Sequence, residues 1–341
     1  MDTRNPVIVV GVCAPERRSY AERLAQATDG RLLPLVDGRA ARGRHPVEFS
    51  LEHPSIARRP VEVVADLASE FDLPHLALAQ GPDASVICVV DTVHLGHDLR
   101  DGAPLIVGAP EGDDRRDFGS RARRAVSYIE GATLIAFVNW ESTPTAELSL
   151  LMALASHLNP TARVRLSRGP TEDLHALRAS PSFAPPLLER AGWVHSLNDE
   201  HDPHMTDSRV TTVRYEQPRP FHPARLHIAL DVIESGHHGV VLRSAGFCRL
   251  ASRTGILARW DQVGSALWID PVSTDVETAS TVQDLAVTGL DLDHAGLRTA
   301  LDDATVTDDE LTAGPTAWWR FSDPFPAWPS IVDQAGRSGD Q

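Results

Sequence analysis

At 341 residues the chain exceeds one typical domain and suits two, each able to bury a core. Its 42% hydrophobic and 23% charged residues fit a soluble globular protein, not a disordered or fibrous one. A net charge of -15 opposes broad binding to nucleic acid or anionic membrane, although Arg115, Arg116, Arg121, Arg123 and Arg124 leave room for a local basic surface. Cys13, Cys88 and Cys248 are far apart, as expected of buried free thiols in a reducing compartment. The N-terminus lacks a signal-peptide layout, and the apolar run at residues 7–14 is too short to span a bilayer. The expectation is a cytoplasmic protein without membrane contact.

In chain order, Val7, Ile8, Val9 and Val10 form a continuous apolar run, the pattern of a strand buried on both faces of a parallel sheet. A helix is predicted over 19–28, with Leu24 inward and Asp29-Gly30 ending it, and a strand over 31–36. Residues 37–60 read as a polar loop. Strands follow at 61–67, 85–91 and 132–138, with a Gly-rich surface loop at 101–119. An amphipathic helix is predicted over 147–158, linked to a further strand near Val164. Ser180 to Pro186 is Pro-rich and non-helical.

Beyond Val210 a second domain is predicted. Pro223 begins a helix carrying Leu226, Leu230 and Ile233, which Gly236 and Gly239 end. Strand-like sequence runs from Val240 to Leu250, then over 266–270 and, weakly, 285–287. Asp293 caps a helix carrying Leu297 and Leu301, and Thr307 with Glu310 has the form of a capping box. Residues 331–341 are polar and expected to be disordered.

Arg219-Pro220-Phe221-His222-Pro223, Arg243-Ser244-Ala245-Gly246-Phe247, and Trp260 with Gln262 and Gly264 resemble the C-terminal domain of CobW-like proteins. These are P-loop GTP-binding proteins associated with metal-cofactor delivery and zinc homeostasis. Asp323-Pro324-Phe325-Pro326-Ala327-Trp328 is similar to the ending of the actinobacterial members. The resemblance implies a P-loop-type parallel sheet with flanking helices, followed by a smaller α+β domain. The divisions expected are 1–178, a Pro- and His-containing linker at 179–209, the C-terminal domain at 210–330 and a tail at 331–341.

The nucleotide motifs depart from that pattern. The family's Gly-x-x-Gly-x-Gly-Lys-Thr-Thr reads here Val12-Cys13-Ala14-Pro15-Glu16-Arg17-Arg18-Ser19-Tyr20. Arg18 stands at the lysine position and Ser19 at the first threonine, but the glycines that let backbone N–H groups curl around phosphate are gone. Asp66 is the one carboxylate left near the expected Mg²⁺ segment. Asn139-Trp140-Glu141-Ser142 occupies the Asn-Lys-x-Asp position, and Ser142 cannot accept two hydrogen bonds from guanine as an aspartate does. Where the family has Cys-x-Cys-Cys, residues 51–55 carry Glu52 and His53 and no cysteine.

Arg18, Ser19, Asp66 and Asn139 are therefore read as a vestigial nucleotide site, with no catalytic residues. His195, His201 and His204, with Asp202 and Glu200, are read either as a loop-built metal site or as a solvated acidic linker. Arg243, Arg249 and Arg253 are candidate partner contacts. No cofactor is firmly implied: GTP with Mg²⁺ and Zn²⁺ follow from the resemblance and are disfavoured by the motif losses. The reading favoured is a pseudo-GTPase adaptor linked to zinc homeostasis. It would bind a protein or ribosomal partner, as a mycobacterial branch with a degenerate P-loop recruits a hibernation factor to ribosomes, without sequence-specific nucleic-acid binding. The alternatives are an active GTP-dependent zinc metallochaperone and a zinc-binding protein using the histidine linker.

Overall fold

The computed structural model describes residues 7–35, 63–67, 73, 85–100, 121–179, 185–272 and 283–328. The chain divides into two compact units, Met1–Thr211 with Val263–Ala266, and Thr212–Gln262 with Leu267–Gln341. The loops expected at 37–60 and 101–119, His53, the stretch 180–184 and the tail at 331–341 lie outside the described residues. Among the described residues no helix is long and apolar enough to cross a membrane.

In the first unit β1 (Val7–Val10), β2 (Arg31–Leu35), β3 (Val63–Leu67), β4 (Ser85–Asp91), β5 (Leu134–Val138) and β6 (Arg163–Leu166) form one sheet in the order β2-β3-β1-β4-β5-β6. Every adjacent pair is parallel. All four residues of β1 are buried, and β4 is buried from Val86 to Asp91, as strands covered on both faces must be. The helices described are α1 (Ala14–Ala27), α2 (Leu95–Asp98), α3 (Arg121–Gly131), α4 (Thr145–Leu158), α5 (Pro170–Ala179) and α6 (Gly192–Leu197). Tyr20 and Leu24 of α1 join Val9, Val64, Ile87 and Leu134 in one core cluster.

The start of α1 corrects the sequence reading. The helix begins at Ala14, not Ser19, and Pro15 lies in its first turn, where a missing N–H loses no helical hydrogen bond. The Arg17 amide already donates to the Cys13 carbonyl at 3.0 Å. Only Gly11, Val12 and Cys13 remain between β1 and α1.

Residues 185–209 also differ from a solvated linker. Arg190 is 1% exposed and donates from Nη1 to the Gly131 carbonyl at 2.8 Å. Gly192 opens α6 against α4 so closely that a Cβ there would lie 2.0 Å from the His157 carbonyl oxygen. The His204 ring meets the Ser156 hydroxyl at 3.1 Å, and the Met205 amide donates to the same hydroxyl at 3.2 Å.

The second unit is a five-stranded sheet in the order β10-β9-β8-β11-β7, made of β7 (Val210–Gln217), β8 (Val240–Cys248), β9 (Ala258–Val263), β10 (Ala266–Pro271) and β11 (Gln283–Leu290). β8 and β11 pair antiparallel. Helix α7 (Pro223–Glu234) starts at Pro223 as expected, capped by the His222 ring, which accepts from the Arg225 amide. α8 (His294–Asp303) is capped by Asp293, and α9 (Asp308–Ala313) has the complete capping box of Thr307 and Glu310. α10 (Pro315–Trp318) follows. Phe221, fully buried, packs with Tyr215, Leu226, Trp260 and Leu301.

The residues that carry the family resemblance hold this unit together. Trp260 Nε1 donates to the Ser244 hydroxyl at 2.7 Å, which donates to Gln262 Oε1 at 2.6 Å. Arg243, 4% exposed, is ion-paired with Asp261 and donates to the Gln262 carbonyl at 3.2 Å. Arg253 grips Asp323 at 2.8 Å and lies 4.3 Å over the Trp328 ring, whose Nε1 donates to the Ile269 carbonyl at 2.7 Å. Arg243 and Arg253 are thus internal fasteners, which corrects the expectation of partner contacts: burial and ion pairing remove Arg243 from the surface, and Arg253 pins the chain near Trp328. Arg249 is half-buried, its amide donating to Gln283 Oε1 at 2.8 Å.

The fit of α6 on α4 gives a direct test. Gly192→Ala should lose about 1–3 kcal/mol of stability, since the added methyl meets backbone that must move. Chemical denaturation of the variant and wild type measures it.

Candidate functional site

Open parallel sheets bind ligands in the crevice at the C-terminal ends of their strands, and β1 and β4 are the two middle strands of this one. After β1 the chain passes so close to β4 that a Cβ on Gly11, at φ 158, would lie 2.5 Å from the Val89 carbonyl oxygen. Gly11, Cys13, Cys88, Asp91, Leu95, Asp98 and Tyr128 line a depression there.

Its polar groups are held on both sides. On the β3 side Arg17 Nε donates to Asp66 Oδ1 at 2.7 Å and Nη1 to the Gly11 carbonyl at 2.8 Å, with both side chains almost wholly buried. On the β4 side Asp91 is ion-paired with His94, and its Oδ1 accepts from the Val93 amide and from Asn139 Nδ2, both at 3.2 Å. Asn139 reaches that position from a left-handed conformation at φ 57, directly after β5. The Asp91 hydrogen bond and charge raise the His94 pKa above its ordinary value. Between the two sides, Cys13 Sγ donates to Asp98 Oδ2 at 3.4 Å, Arg121 Nε holds Asp98 Oδ1 at 2.6 Å, and Arg121 Nη2 lies 3.6 Å from the sulfur. Burial, then the Asp98 charge, pushes the Cys13 thiol up to about 12. All three cysteines are buried and free.

The sequence-predicted residues divide sharply. Asp66 and Asn139 reach this edge, but each is engaged by a side chain of the chain itself. Arg18 and Ser19, expected at the phosphate-binding positions, are exposed on α1, because the early helix start turns that face to solvent and turns Arg17 inward. Ser142 lies in a short 3-10 turn, its hydroxyl 3.4 Å from the Asn139 carbonyl.

The linker histidines do not all meet: His201 stands beside His157 and near His195, whose charge adds to the burial that lowers the His201 pKa, while His204 turns to Ser156. His201 Nε2 meets His157 Nδ1 at 3.3 Å, His195 lies 3.9 Å from Glu200, His204 goes to Ser156, and Asp202 is exposed. Among the described residues the trio of potential metal ligands whose donor atoms all lie within 4.8 Å is Cys13, Asp91 and His94. Sequence reasoning missed His157, Cys13 and His94. The visible signal for the last was its spacing three residues beyond the carboxylate that ends β4.

Comparison with known proteins adds a lineage. The profile of the cobalamin synthesis protein CobW C-terminal domain matches residues 210–305. A zinc chaperone of Mycobacterium tuberculosis is 27% identical over 276 residues, covering 72% of this chain and 62% of that protein, and an uncharacterized protein of Mycobacterium bovis matches equally. A zinc-regulated GTPase metalloprotein activator of Dictyostelium discoideum is 23% identical over 227 residues, covering 59% of this chain and 47% of that protein. The chain thus spans less than two thirds of these relatives' length. The Zn(II)-bound YjiA GTPase of E. coli aligns at 11% identity with a TM-score of 0.33, over 73% of this chain and 72% of that one.

Two measurements follow. Arg17→Ala leaves Asp66 buried without its counter-charge and should lower stability by about 3–5 kcal/mol, whereas Arg17→Met with Asp66→Leu should recover much of that loss; urea denaturation compares them. His157, held down at about 4 by burial and by His201, binds its proton in the unfolded chain near the ordinary 6.5 but not in the fold. Between these values the unfolded state carries more protons, so stability falls as pH drops through the window and is complete above it. The melting temperature of His157→Gln should fall less steeply than wild type between those two pH values.

Proposed function

Since the chain is a CobW-like protein, its C-terminal unit containing the CobW C-terminal domain, we propose that it is a pseudo-GTPase: a binding or adaptor protein of zinc homeostasis that does not turn over GTP. The observation that carries this reading is the buried Arg17–Asp66 pair behind an α-helix that begins at Ala14. A phosphate-binding loop needs several consecutive backbone N–H groups facing inward from a glycine-rich turn. Here the same stretch is helical, Pro15 has no N–H to offer, and Asp66 is paired with Arg17. The carboxylate that would read guanine is replaced by Ser142.

Zinc enters through the relatives, which are named as a zinc chaperone and a zinc-regulated activator. The adaptor role rests on a scaffold kept around an internal ion pair where nucleotide chemistry needs open groups. Its partner is proposed to be a protein or the ribosome. With a net charge of -15, recognition of a ribosome would run through a protein surface or a bound factor rather than bare RNA.

Nucleotide binding is tested by thermal shift of the full chain with GTP or GDP and Mg²⁺. The expected result is no saturable rise in melting temperature, because a ligand that binds only the folded state must stabilise it. A saturable rise would restore the active metallochaperone reading. The adaptor role is tested separately by affinity capture from zinc-starved cells. Enrichment of ribosomal proteins or a hibernation factor is expected, and their absence would sink the ribosomal assignment.

A further inference from the structure

Cys13 Sγ, an Asp91 carboxylate oxygen and a His94 ring nitrogen come from the end of β1, the end of β4 and the turn before α2, yet all lie within 4.8 Å of one another. A thiolate, an imidazole and a carboxylate form a donor set suited to Zn²⁺, whereas Mg²⁺ and Ca²⁺ call for oxygen alone. We infer that this cluster is a transition-metal site, taking Zn²⁺ through Cys13, Asp91 and His94 beside the C-terminal ends of β1 and β4.

Four features make the cluster more than a chance meeting. Its two buried ligands sit on fixed backbone: Cys13 is the N-cap of α1, and Asp91 is the last residue of β4. Asp91 is oriented by the Asn139 amide and the Val93 N–H on Oδ1, the kind of outer support that metal carboxylates carry, and an ion would take the place of the His94 contact on Oδ2. The charges also close. A thiolate with one carboxylate offsets Zn²⁺, and the adjoining Asp98 is already neutralised by Arg121 at 2.6 Å. Finally, the His94 side chain is 58% exposed whereas that of Asp91 is 1% exposed, so an ion can reach the buried ligands from solvent by way of the imidazole. Asp98, 3.4 Å from Cys13 Sγ, adjoins the cluster. The inference is independent of the pseudo-GTPase reading, because none of the three ligands belongs to the Arg17–Asp66 pair.

Cobalt(II) titration of the full chain, under anaerobic conditions with a non-chelating reductant, tests it. Near one equivalent, a thiolate-to-cobalt charge-transfer band should grow with visible d–d bands, and Zn²⁺ should displace both. Cys13→Ser should abolish the charge-transfer band, and Cys248→Ser should keep it. His94→Ala, altering a largely exposed side chain, should weaken Zn²⁺ affinity by at least about tenfold in chelator competition. This variant decides the matter should Cys13→Ser fail to fold. Absence of the band in wild type, its persistence in Cys13→Ser, or unchanged affinity in His94→Ala would overturn the assignment. None of these outcomes bears on the nucleotide thermal shift, so the two readings can fail separately.

Discussion

The first unit depends on one buried ion pair. Arg17 binds Asp66 and the Gly11 carbonyl at once, tying the first turn of α1 to β3 and to the exit of β1. Both charges are out of water, so neither can be released alone without a large desolvation cost. Opening the N-terminal turns of α1 into a loop would strand Asp66, so the helix start at Ala14 and the ion pair enforce each other. The neighbouring edge of the sheet is built around that fixed point.

Across β1 the polar groups follow a different rule. Asp91, Asp98 and Cys13 put potential negative charge into a small buried volume, and His94, Asn139 and Arg121 offset it from three separate elements. Burial and the Asp98 charge favour the protonated Cys13 thiol. In the second unit one polar network lies inside the sheet. Arg243, Ser244, Trp260, Asp261 and Gln262 satisfy one another inside the sheet. Buried networks of this kind are all-or-none, since each missing member leaves another unsatisfied. The family resemblance in those residues is therefore a signature of architecture.

The sequence made the strands legible where burial on both faces produces unbroken apolar runs, so β1 and β4 were found with their limits. Caps were equally readable, because Asp293 and Thr307 act on residues three positions away. The start of α1 was not. Its first turns carry Pro15, Glu16, Arg17 and Arg18, and apolar periodicity begins only at Tyr20. A buried arginine looks like a surface arginine until its partner 49 residues away is placed beside it. His157 escaped notice for the same reason, its neighbour His201 lying 44 residues on. Cys13 and Asp98, 85 residues apart, meet only because β1 and β4 are adjacent. Secondary structure is written locally, whereas the site is a product of topology.

The strand order of the second unit carries a kinetic implication. β7 and β8 flank β11, so the first strand of that sheet has no neighbour until Gln283–Leu290 inserts between them. Pairing at that range delays closure, because the intervening chain must lose its freedom before any ladder bond rewards it. Until then β7 and one side of β8 are open edges. Assembly of this unit should be slow compared with a sheet of sequential hairpins, and most prone to self-association in the interval before the inner strand arrives.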